Sequence, residues 1–97
     1  MDIQALKEIV CKTICIDQSD LSGNGNIKSQ THIVYARMLF SHYAFLHSGN
    51  KHLISKELNM SISSVNYYLT RYSDEIEFSN KVFESLDKQV NICIHAN

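Results

Sequence analysis

The chain has 97 residues, of which 44% are hydrophobic and 20% charged, with a net charge of −1. That length accommodates one hydrophobic core, so a single domain over residues 1–97 is expected, and the composition excludes an intrinsically disordered chain. Proline is absent and only three glycines occur, too few breakers for a small β-sandwich with its regular turns.

The first helix is expected from Asp2, as N-cap, to about Cys15, because Ile3, Leu6, Val10 and Ile14 recur at helical spacing and form one apolar stripe. The segment Asp17 to Asn26 is rich in turn-forming residues and reads as a surface loop. Its Gly23-Asn24-Gly25 is not a phosphate cradle, having no strand before it and no Gly-Lys-Ser/Thr after it. A long second helix is expected over about Ser29 to His47. Ile33, Ala36, Phe40, Tyr43 and Ala44 make its buried face, widened by Leu39 and Leu46. Ser48-Gly49-Asn50 then supplies a C-terminal glycine and a fresh N-cap.

The stretch from Lys51 to Thr70 fits a helix-turn-helix. Ile54, Leu58, Met60, Val65 and Tyr68 take the inward positions. Ser55 stands where the second helix crosses and only a small side chain fits, and Asn59 stands where the turn needs a left-handed backbone. Any amphipathic helix pair explains the inward set; Ser55, Asn59 and the short turn are what discriminate. In this reading Ser61 or Ser63 starts a recognition helix whose N-terminal side chains enter the major groove. Ser61, Ile62, Ser63, Asn66, Tyr67 and Thr70 face outward. An Asn can bridge adenine, Ser and Thr reach bases or phosphates, and Ile62 suits a thymine methyl. A last helix is expected from Ser73 or Asp74, with Phe78, Val82, Leu86 and Val90 at intervals of four. Asp74, Glu75 and Glu77 suit its N-terminus and would hold it away from DNA. The whole is an all-α domain of about five helices.

Charge is unevenly distributed. Residues 1–50 carry four basic and four acidic side chains, residues 51–73 carry Lys51, Lys56 and Arg71 against Glu57, and residues 74–97 carry five acids against two lysines. The one positive stretch therefore coincides with the helix-turn-helix, as phosphate binding requires. Cys11, Cys15 and Cys93 are odd in number and lack C-x-x-C spacing, which argues against a disulfide framework and for a reducing, cytoplasmic location. Cys93 and His95 could complete a metal site with Cys11 and Cys15, but small buried hydrophobes and a frayed C-terminus account for them, and neither metal nor cofactor is expected. His32, His42, His47, His52 and His95 have no carboxylate or nucleophile at motif spacing, so no enzyme is expected. No signal peptide or membrane span is apparent.

From about Leu6 to Leu86 the ordered residues resemble the C-terminal DNA-binding domain of the bacterial replication initiator DnaA. Ile9-Val10-Cys11 stands in the opening helix, and Ile16-Asp17-Gln18-Ser19-Asp20-Leu21 is similar to the family's Val-x-x-x-Asp-Leu turn. Ile33-Val34-Tyr35-Ala36-Arg37 is similar to Ile-Val-x-Ala-Arg, and Ile54-Ser55-Lys56-Glu57-Leu58-Asn59 to Ile-Gly-x-x-Leu-Gly. Ser63-Ser64-Val65 is similar to Ser/Thr-Thr-Val, and Asp74 with Phe78 to a closing Asp-x-x-Phe segment. The resemblance implies a recognition helix in the major groove and a basic loop in the minor groove. Met60, Ser61 and Ile62 replace the family's Arg-Asp-His, and Ser29 and Thr31 replace the loop arginines, leaving Lys28. It therefore implies a stand-alone, regulatory binder of double-stranded DNA with altered or relaxed specificity. Lys28, Arg37, Lys51, Lys56 and Arg71 would meet phosphates, with Ser63, Ser64 and Asn66 nearest the bases. The alternative is a module for a protein partner or a second copy, docking through Met60, Ile62, Tyr67 and Tyr68.

Overall fold

The computed structural model describes residues 2–22 and 30–96, and among them the chain forms six helices and no strand. These are α1 (Ile3–Ile14), α2 (Gln18–Leu21), α3 (Gln30–Ser48), α4 (Lys51–Leu58), α5 (Ile62–Glu77) and α6 (Lys81–Ala96). The central element is α3, which packs against all five others. Its consecutive residues Ala36 to Ser41 are all buried, as expected of a helix surrounded on every side. Around it converge Leu6, Val10 and Ile14 from α1, Leu21 from α2, Ile54 and Leu58 from α4, Val65 and Tyr68 from α5, and Phe83, Val90 and Ile94 from α6.

The helix ends follow from local chemistry. Gly49 takes φ +62 after α3, and the Asn50 side chain accepts from the Leu53 N–H at 3.1 Å to open α4. The closure of α1 uses Cys15 in the left-handed region (φ 66), with Ile16 N–H donating back to the Cys11 carbonyl at 3.0 Å.

Five expectations need correction. Part of the expected loop from Asp17 to Asn26 is helical: Asp17 and Asp20 are turn formers that here cap α2, the Asp17 N–H donating to the Asp20 carboxylate at 3.4 Å. Leu46 does not widen the buried face of α3; it is 65% exposed, in the last turn of the helix, where residues 45–48 are all exposed. The last helix does not begin at Ser73 or Asp74. Those residues lie inside α5, which runs on to Glu77, and the break comes at residues 78–80. There Ser79 takes φ 56, and the Asn80 side chain accepts from the Phe83 N–H at 3.1 Å, capping α6. Consequently the stripe shifts: Phe83, Val90 and Ile94 are buried, Leu86 is half-buried, and Phe78 and Val82 are exposed. Asp74, Glu75 and Glu77 end a helix rather than start one, where the macrodipole opposes them. Arg71 offsets this at Glu75 with an ion pair of 2.7 Å.

Candidate nucleic-acid interface

Three residues join α4 to α5. Asn59 sits at φ 53, ψ 50, and its N–H donates to the Lys56 carbonyl at 3.2 Å. The Met60 N–H reaches the Ser55 carbonyl at 3.0 Å, while the Ser55 hydroxyl donates to the Met60 carbonyl. A small side chain at position 55 thus ties the turn to the helix preceding it. Ser61 then caps α5, its hydroxyl accepting from the Ser64 N–H at 3.2 Å and lying 3.2 Å from the Ser64 hydroxyl.

The expected reading residues fall on successive turns of the N-terminal half of α5. Ser61, Ser63, Asn66, Tyr67 and Thr70 are exposed, whereas Ile62 and Ser64 are half-buried. Ser61 and Ser64 engage each other, so Ser63, Asn66 and Thr70 are the outward side chains whose polar groups make no hydrogen bond among the described residues. Tyr67 lies edge-on to Tyr68 at 5.4 Å between centroids. Met60 is half-buried and packs on the core, which removes most of it from the outer surface.

The expected phosphate contacts divide sharply. Lys28, like Ser29 and Gly23-Asn24-Gly25, lies outside the described residues. Lys56 is exposed on α4, and Lys51 places its ammonium 5.5 Å from the Phe45 ring centroid. Arg71 is committed to Glu75. Arg37 is the correction: it is 6% exposed and faces the protein interior. Its Nε donates to the Leu21 carbonyl at 3.0 Å, its Nη2 to the carbonyls of Asp20 (3.2 Å) and Ser22 (2.9 Å), and its Nη1 to the Tyr68 hydroxyl at 3.3 Å. The guanidinium thus caps the C-terminal end of α2 and ties it to α5, a positioning role rather than a phosphate contact. The signal was in the sequence: Arg37 stands four residues after Ile33 and three before Phe40, on the stripe that α3 buries.

A second polar cluster fastens α6. The hydroxyls of Tyr43 and Tyr72 both donate to Asp87 Oδ1 at 2.7 Å, and His42 stacks on Tyr72 with centroids 3.6 Å apart. Burial, then the bond to Asp87, pushes both phenols well above the usual tyrosine range. Burial also lowers the His42 imidazole, against the opposing pull of Asp87. Cys11 is buried and its thiol is pushed up to about 11, while Cys15 is exposed and Cys93 half-buried. Among the described residues no His, Cys, Asp and Glu side chains gather as a metal-binding group, and no helix is long and apolar enough to cross a membrane. Compared with protein-family models, characterised proteins and solved structures, the chain gives no significant match.

Proposed function

We propose that the chain binds double-stranded DNA, with α4 and α5 acting as a helix-turn-helix and the N-terminal half of α5 entering the major groove. The observation that carries this reading is the tight turn at Asn59, tied down by Ser55, followed by a helix whose first turns present Ser63, Asn66, Tyr67 and Thr70 outward with no charge among them. Lys51 and Lys56 on α4, with Lys28, supply the phosphate contacts; Arg37 is not among them. The resemblance to the DnaA domain points the same way, with altered or relaxed sequence choice because Met60, Ser61 and Ile62 replace its Arg-Asp-His. A protein partner at Met60, Ile62 and Tyr67 is the less favoured reading, since only Tyr67 of the three is largely exposed.

Titration of a fluorescent duplex at several salt concentrations tests the proposal. With three lysines engaged, the log–log salt slope should be about −3, at about −0.9 per phosphate neutralised, and affinity should fall in the range of about 10⁻⁴–10⁻⁶ M at physiological salt. Neutralising Lys51 and Lys56 together should reduce the slope to about −1. If neither duplex nor single strand binds at low salt, the protein-partner reading replaces this one.

A further inference from the structure

From Leu58 to Thr70 the chain carries no charged residue. That bears on base choice, because the side chains that single out G·C pairs in the major groove are the charged ones. Arg and Lys donate to guanine, and Asp and Glu accept from cytosine. Neighbouring cations do not make up the lack: Arg71 is held by Glu75 at 2.7 Å, and Lys51 and Lys56 lie on α4. The outward row of α5 is Ser63, Asn66 and Thr70, spaced by three and four residues and therefore on one face. Asn66 is the middle of the row, and its side chain makes no hydrogen bond among the described residues. Beside it the Tyr67 ring is 54% exposed and braced edge-on against Tyr68, whose hydroxyl Arg37 holds at 3.3 Å.

An amide presents a donor and an acceptor side by side, and in the major groove adenine alone returns the matching acceptor and donor. Thymine alone carries a methyl group there, which suits the Tyr67 ring and the Thr70 methyl. The Ser63 and Thr70 hydroxyls bond to either pair and do not discriminate. From this chemistry we infer that the chain selects A·T pairs, Asn66 reading adenine through two hydrogen bonds while Tyr67 and Thr70 pack on thymine methyls. The inference rests on the DNA-binding proposal and adds to it the choice of base. Lys51 and Lys56 hold phosphates of any sequence, so the choice falls to Asn66. One such two-bond pair discriminates about fivefold to about 150-fold against a wrong base.

The test is competition for a fluorescent duplex by two unlabelled duplexes of equal length, one of alternating A·T pairs and one of alternating G·C pairs. The A·T duplex should compete at least about fivefold better. A narrow minor groove also favours A·T sequences, so the decisive arm alters the major groove alone. An adenine analogue with C–H in place of the ring acceptor should remove most of the preference, and uracil in place of thymine a smaller part. Asn66→Ala should weaken the A·T competitor more than the G·C one and so narrow the ratio, with unaltered circular dichroism because Asn66 is exposed. Asn66→Arg should turn the preference toward G·C. Equal competition by the two duplexes overturns the inference and leaves DNA binding standing. So does an A·T preference that survives both Asn66→Ala and the adenine analogue. Failure of every duplex to bind at low salt overturns the DNA-binding proposal and the inference together.

Discussion

Helix α5 is entered and left through joints of the same construction. At its start, Asn59 takes φ 53, its N–H returns to the Lys56 carbonyl, and the Met60 N–H reaches back to Ser55. At its end, Ser79 takes φ 56, its N–H returns to the Ile76 carbonyl at 3.2 Å, and the Asn80 N–H reaches back to Glu75 at 3.1 Å. Both are left-handed helix closures followed by a capping side chain for the next helix, Ser61 two residues after Asn59 and Asn80 directly after Ser79. Between the two joints, two polar knots hold α5 to its neighbours: Arg37 joins the Tyr68 hydroxyl to the carbonyls at the end of α2, and Asp87 on α6 accepts from the Tyr72 and Tyr43 hydroxyls. The backbone hydrogen bonds define such a joint, and the residue in the left-handed position sets only its cost. Asparagine adopts that conformation readily, whereas serine is strained there.

The knots should differ more than the joints. Arg37→Met leaves the carbonyls of Asp20, Leu21 and Ser22 and the Tyr68 hydroxyl without their donor, in a site that is 6% exposed. The expected loss is about 2–4 kcal/mol in urea unfolding, because charged donors to buried acceptors contribute most. Asp87→Ala removes two charge-assisted bonds from a half-buried site that water can reach, so about 1–2 kcal/mol is expected. Equal losses would mean that water satisfies the α2 carbonyls as well as Arg37 does, and the distinction between the two knots would disappear.

At the joints, Ser79→Gly should stabilise by about 0.5–1 kcal/mol and Asn59→Gly by only a few tenths, since glycine relieves strain that asparagine largely avoids. Asn59→Ala should destabilise by about 1–2 kcal/mol, the cost of a Cβ in the left-handed region without asparagine's tolerance of it. Thermal midpoints read all three. A Ser79→Gly midpoint at or below that of the wild type would show that the second joint carries no strain to relieve.

This contrast explains which features were legible in the sequence. The all-α class, α1, α3 and the Asn59 turn could be read because periodicity and left-handed formers agreed with the local fold. The second joint was misplaced because Ser79 is not a typical closing residue, and because Phe78, Val82, Leu86 and Val90 at intervals of four imitate a stripe. With 3.6 residues per turn such a row drifts about 40° at each step, and three steps carry it off the buried face. The actual face uses Phe83, Val90 and Ile94. Helix α2 was hidden because aspartate serves turns and caps alike. Arg37 stood on a buried stripe, yet its acceptors are α2 carbonyls, which only the tertiary arrangement brings near. Of the outward set expected on α5, Ser61, Ser63, Asn66, Tyr67 and Thr70 are exposed, whereas Ile62 is half-buried.

The smallest expected effect concerns His42, which stacks on Tyr72 beside the Asp87 knot. Burial lowers its pKa below the ordinary 6.5, more strongly than the negative charge of Asp87 raises it. The unfolded chain therefore binds this proton more readily than the folded one. Stability should be complete above about pH 6.5 and decline as pH falls through the folded value. The decline should therefore trace to the knot at Asp87. His42→Phe keeps an aromatic ring against Tyr72 while abolishing the titration, and it should flatten the profile between about pH 7 and about pH 5. Urea midpoints for wild type and variant across that range decide the matter. A slope that persists unchanged in His42→Phe would assign the titration to another group and remove His42 from what distinguishes the two knots.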